Sequence, residues 1–128
     1  MKKRLIETSD APKPIGPYSQ AVLGDGLAWI SMQLPFDPDT GLMVEGNIEE
    51  QTRRVLENLR AVAYACGAVL SGFLKVTVYF TDLNDFERVN RVYAEFLGDS
   101  KPARAVMQVS ALPKGAVIAM DAVALVED

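Results

Sequence analysis

Ten consecutive residues near the C-terminus constrain this chain more than any other stretch: Val117-Ile118-Ala119-Met120-Asp121-Ala122-Val123-Ala124-Leu125-Val126. In an extended strand, side chains alternate between two faces. Val117, Val123 and Leu125 fall on one face, and Ile118, Met120, Ala122 and Val126 on the other. A strand that is apolar on both sides has to be covered on both. The remaining sequence supplies two helices, enough for one sheet face. The second face would then be an apolar patch of the kind that marks an interface, so the chain is expected to form a homo-oligomer. The single carboxylate of the run, Asp121, shares a face with Ala119 and Val123, where it must be paired, hydrogen-bonded or protonated.

The other elements follow from spacing. Short strands are expected at Arg4–Ile6, Ala21–Leu23 and Ala28–Ser31, with Gly24-Asp25-Gly26 turning the hairpin between the last two. Ala11 to Pro17 holds three prolines and a glycine and reads as an irregular loop. Val55, Leu56, Leu59, Val62, Ala63 and Cys66 recur at helical spacing. Asn47 and Glu50 form a capping-box pair at the start of this helix, and Gly67 ends it. Phe73 to Phe80 is β-branched and aromatic, hence a strand. A second helix follows Asn84, with Phe86, Val89, Val92, Tyr93, Phe96 and Leu97 on one face and Gly98 closing it. Strands from Ala103 to Ser110 and from Val117 to Val126 complete the chain. This order predicts an α+β fold, a mixed β-sheet with two helices packed on one face. The 128 residues, 49% of them hydrophobic, read as a single domain with a real core.

Composition narrows the chemistry. There is no histidine, which removes imidazole bases, Ser-His nucleophiles and His-ligated metals. The single cysteine, Cys66, cannot form an intrachain disulfide or a thiolate metal site alone, and its place on the helix's apolar face reads as a small buried hydrophobe. Thirteen basic against seventeen acidic residues, a net charge of -4, argue against nucleic-acid or anionic-membrane binding. The N-terminal region has no apolar segment of the signal-peptide kind, and no run approaches the ~18 apolar residues of a membrane span. A cytoplasmic protein is the expectation.

Arg104 stands at the head of a strand-like run, Pro102-Ala103-Arg104-Ala105-Val106-Met107-Gln108-Val109. A guanidinium facing an apolar sheet surface costs free energy unless an anion pairs with it. Asp121 is one candidate, and the carboxylate of a bound ligand, gripped by the planar fork, is another. Together with Gly16-Pro17-Tyr18-Ser19-Gln20 near the start, these residues resemble the RidA (YjgF-like) enamine/imine deaminase family. The resemblance runs from Ala11 to Val126 and is strongest at Gly16 to Ala21, Pro35 to Gly41, Thr77 to Tyr93 and Pro102 to Gly115. It implies a chorismate-mutase-like fold assembled as a homotrimer with clefts between neighbouring subunits.

The resemblance also implies roles. Arg104 would bind the substrate carboxylate, and Asp121 would hold or activate the attacking water. Tyr18 would help orient the substrate in the cleft. Ser31 and Met32 match a serine-glycine pair that approaches the carboxylate, the backbone carbonyl of Val106 helps hold water, and Asn90 lies near the cleft. Three positions depart from the family pattern: Met32 replaces the glycine, Val106 a common cysteine, and Asp121 the usual glutamate. Residue type alone leaves plainer roles open: an interface ion pair for Arg104, an aromatic plug for Tyr18, a backbone-bonded hydroxyl for Ser31 and a solvent-facing amide for Asn90.

The expected activity is therefore hydrolytic deamination of small 2-imino or enamine acids, such as 2-iminobutanoate and 2-iminopropanoate/2-aminoacrylate, to 2-keto acids and ammonia, without cofactor or metal. The alternative is a non-catalytic trimer that binds small carboxylates or regulates a partner. Ribonuclease activity, sometimes ascribed to relatives, fits least, given the acidic composition and the lack of a His or Lys acid–base pair.

Overall fold

The computed structural model describes residues 2–127. Its elements run β1 (Arg4–Ile6), β2 (Ala21–Gly24), β3 (Leu27–Gln33), α1 (Ile48–Ala65), β4 (Phe73–Phe80), α2 (Phe86–Leu97), β5 (Ala103–Gln108) and β6 (Ile118–Leu125). The six strands form one sheet in the order β1-β2-β3-β6-β4-β5. All neighbours are antiparallel except β4 and β5, which are parallel because α2 carries the chain back between them. The expected α+β architecture is therefore the one observed. The β2–β3 turn is tighter than expected: Gly24 pairs with Leu27, leaving Asp25 and Gly26 with φ of 56° and 79° to make the reversal.

The sheet places β6 near its middle, which accounts for its apolar character. Ile118, Met120, Ala122 and Ala124 are buried against Val76, Val78 and Phe80 of β4 and the α1 residues Val55, Leu56, Leu59 and Val62. The start of α1 carries the expected capping box: Asn47 accepts from the Glu50 N–H, and Glu50 accepts from the Asn47 N–H.

The second face of β6 is not bare along its whole length. At its N-terminal end Ala119 is buried with Leu34, Phe36 and Ala116, and Met32, Met43, Tyr79 and Leu112 pack around them. That cover is held from the opposite layer. The Asn58 amide of α1, fully buried, donates to the carbonyls of Leu34 (3.1 Å) and Phe36 (2.9 Å). Toward the other end, Trp29, which pairs with Val123, is 53% exposed and Leu125 is 47% exposed. Among the described residues, no helix is long and apolar enough to cross a membrane.

Candidate functional site

Strand β3 breaks register opposite Asp121. Ile30 pairs with Ala122 and Gln33 with Met120, so two residues, Ser31 and Met32, stand across from one. A bulge of this kind re-aims side chains and recurs beside functional sites. The Ser31 hydroxyl donates to the Ser19 carbonyl at 2.6 Å, and the Ser31 N–H donates to the Gln20 carbonyl at 2.9 Å, which ties the loop carrying Tyr18 to the bulge. The backbone-bonded role left open for Ser31 is thus the one its hydroxyl fills.

Gln20, a residue given no role from the sequence, holds the same loop from behind. Its buried side chain accepts from the Thr8 N–H (2.7 Å) and donates to the carbonyls of Thr8 (3.0 Å), Ala11 (3.2 Å) and Pro12 (2.9 Å). The two N–H groups of this amide are shared among the three carbonyls of a segment whose prolines leave it few backbone donors of its own. The Tyr18 hydroxyl accepts from the Ile15 N–H at 3.2 Å, and the residue is 45% exposed. Tyr18, Ser31 and Met32 meet in one cleft of 320 Å³, closed by Ile15, Leu34 and Pro113 and walled almost entirely by carbon. A larger depression of 440 Å³ lies over α1 among Arg54, Glu57, Arg60 and Tyr64, and it contains none of the predicted site residues.

Asp121 points from the same sheet face as Tyr79, whose hydroxyl donates to its Oδ2 at 2.6 Å. Burial, reinforced by this bond to a carboxylate and by its charge, pushes the Tyr79 phenol up to about 12, so it remains a proton-bearing donor. The sequence marks Tyr79 only as strand-forming aromatic content. Its pairing with Asp121 depends on the β4–β6 register, in which Thr77 faces Asp121 and Tyr79 faces Ala119. No local pattern reports that register.

Arg104 corrects one expectation. It pairs with Val76 across β4–β5, so its side chain leaves the sheet on the helical side, whereas Asp121 pairs with Thr77 and leaves on the other. The two are also two strands apart. An Arg104–Asp121 ion pair within one chain is therefore ruled out. The guanidinium instead lies 4.8 Å from the ring centroid of Tyr93 and 5.6 Å from that of Phe86. Its Nη1 donates to the Asn90 Oδ1 at 2.6 Å, and among the described residues it makes no ion pair. Cation–π contact and an amide stand in for the expected anion on an exposed edge strand. Asn90 is half-buried, and its side chain accepts from Arg104 at the protein surface.

Val106 shares the helical side with Arg104. Its half-buried side chain packs on the main core, away from the Tyr18 cleft. The Val109 N–H bonds the Phe80 carbonyl at 2.7 Å, so strand alternation turns the Val106 carbonyl toward the open edge of β5. Among the described residues, no three His, Cys, Asp or Glu side chains gather as a metal site requires.

A six-stranded mixed sheet backed by two helices, with an aromatic-seated arginine at one edge and a carboxylate on the open face, defines an α+β domain of the RidA/YjgF type. The family model described as endoribonuclease L-PSP matches residues 8–126. The chain belongs to that family, the YjgF/RidA family that its motifs resemble. It is 51% identical to a RutC family protein of Pyrococcus abyssi, over 99% of this chain and 100% of that one. It is 43% identical to the human 2-iminobutanoate/2-iminopropanoate deaminase, over 96% of this chain and 90% of the human one. The solved structure of Escherichia coli TdcF with bound serine superimposes with a TM-score of 0.91 at 37% identity, covering 97% of this chain and 99% of TdcF.

Proposed function

We propose that this protein hydrolyses reactive 2-imino and enamine acids, 2-iminobutanoate and 2-iminopropanoate/2-aminoacrylate among them, to 2-keto acids and ammonia. The observation that carries the reading is the guanidinium of Arg104, oriented by Asn90, Tyr93 and Phe86 and, among the described residues, without a carboxylate partner. A cation fixed in this way suits a small organic anion. The name of the human relative and the serine held by TdcF point to the same ligand class.

In this reading the working unit is a homotrimer. The partly exposed face of Trp29, Val123 and Leu125 is buried between copies, and Arg104 of one copy meets the Tyr18–Ser31–Met32 cleft and Asp121 of the next. Arg104 grips the substrate carboxylate. Water held by Asp121 and the Val106 carbonyl adds to the imine carbon, and the resulting carbinolamine loses ammonia as its C–N bond breaks and the C=O bond forms. Imines hydrolyse unaided, so positioning and charge stabilisation suffice, and no redox or metal chemistry is required. A cytoplasmic setting suits the one free thiol, Cys66.

The test generates 2-iminobutanoate in situ with threonine dehydratase and traps leftover imine with semicarbazide. Wild type should accelerate keto-acid release, and Arg104→Ala should lower kcat/KM by at least about 10-fold, the loss expected for a charge-assisted bidentate contact. A second reading, a non-catalytic binder of small carboxylates, draws on Met32, whose thioether fills part of the cleft wall where the family pattern has glycine. Binding of 2-oxobutanoate by calorimetry, with no acceleration of imine loss, would establish that reading instead.

A further inference from the structure

We infer that Tyr79 is a positioning residue for Asp121, fixing one carboxylate oxygen so that the other faces the reacting water. This role rests on the deaminase reading above. Three observations carry it. First, the 2.6 Å bond from the Tyr79 hydroxyl to Oδ2 lies in the short range of hydroxyl-to-carboxylate hydrogen bonds, and among the described residues nothing donates to Oδ1. Second, the Tyr79 ring is itself fixed, packed against the buried cluster of Leu34, Phe36, Ala116 and Ala119. That cluster is tied to α1 through Asn58, so the phenol's direction is set by the core and not by solvent. Third, the Ser31–Met32 bulge stands directly across from Asp121, so the carboxylate lies beside the element that carries the cleft. The cationic partner expected for Asp121 is on the other sheet face, which leaves Tyr79 as the group that orients it within one chain.

The phenol does not act as an acid or a base here. Its pKa of about 12 keeps the proton on Tyr79 throughout turnover near neutrality. Tyr79 therefore works through Asp121 alone, and the two substitutions must not be additive.

Wild type, Tyr79→Phe, Asp121→Asn and the double variant are compared in the dehydratase–semicarbazide assay, with urea unfolding as a control for folding. Tyr79→Phe is expected to lower kcat by about 10-fold with KM within about twofold, the scale of one hydrogen bond to a charged group. In the Asp121→Asn background it should cost less than about twofold more. An activity-independent readout accompanies this. The Tyr79 phenol is isolated as the absorbance difference at about 295 nm between each protein and the same protein carrying Tyr79→Phe, and it should titrate at lower pH once Asp121→Asn is introduced. Multiplicative losses, a change in KM alone, or an unchanged phenol titration each overturn the positioning role while leaving deamination standing. A wild type that does not accelerate imine loss overturns the deaminase reading and, with it, this role.

Discussion

Arg104 keeps its charge at a strand edge because two rings and one amide of α2 occupy the place that an anion was expected to fill. That an arginine in this run needs a partner can be read from residue type. Which partner it has cannot. The side of the sheet it leaves from is set by the β4–β5 register, and that of Asp121 by the β4–β6 register, and neither run encodes its neighbour's phase. Met32 illustrates the same limit. Its identity is plain, but its position in a bulge, beside Tyr18 and packed against Leu34 and its neighbours, comes from a slip between strands. Met32→Gly removes the thioether from the cleft wall, and kcat/KM for 2-iminobutanoate is expected to rise by roughly 10-fold, with larger imino acids newly accepted. A sharp fall in the same assay would make Met32 a contact that selects the substrate.

Helix α1 is legible in the sequence almost in full. Periodicity marks its buried positions Val55, Leu56, Leu59, Val62 and Ala63, and the Asn47–Glu50 spacing marks its start. Local chemistry decides both, which is why they survive without tertiary information. Asn47→Ala should destabilise the fold by about 1 kcal/mol, seen as a lower urea midpoint with an unchanged slope. Asn58, near the middle of the same helix, carries no such signal. A polar residue on a helix reads as solvent-facing until the carbonyls of Leu34 and Phe36 are brought to it by a segment more than 20 residues away. The cleft's rear support is hidden for the same reason. Gln20 gathers its partners, Thr8, Ala11 and Pro12, from 8 to 12 positions away, within a loop whose prolines announce only irregularity.

At the scale of the molecule, weak acids sheltered by the fold, Cys66 and Tyr79 among them, tie stability to alkaline pH. Burial raises Cys66 from 9.0 to about 11, and burial together with Asp121 raises Tyr79 from 10.0 to about 12. Both groups hold their protons more tightly folded than unfolded, so their contribution is complete below pH 9 and is lost as pH climbs through 9 to 12. The urea midpoint should be flat from about pH 7 to 8.5 and fall by about pH 10.5, and Cys66→Ala should soften that fall. The order of elements and the two-sided β6 are readable because they are averages over many residues, whereas the partial cover of its second face by Leu34 and Phe36 requires the folded chain. The opposed outlooks of Arg104 and Asp121 carry one last consequence. If neighbouring copies complete each other's sites, two impaired preparations, one lacking the guanidinium and one lacking the carboxylate, should gain activity when unfolded and refolded together. At equal mixing, about a quarter of the junctions would pair an intact half from each, and activity should recover to about that fraction of wild type.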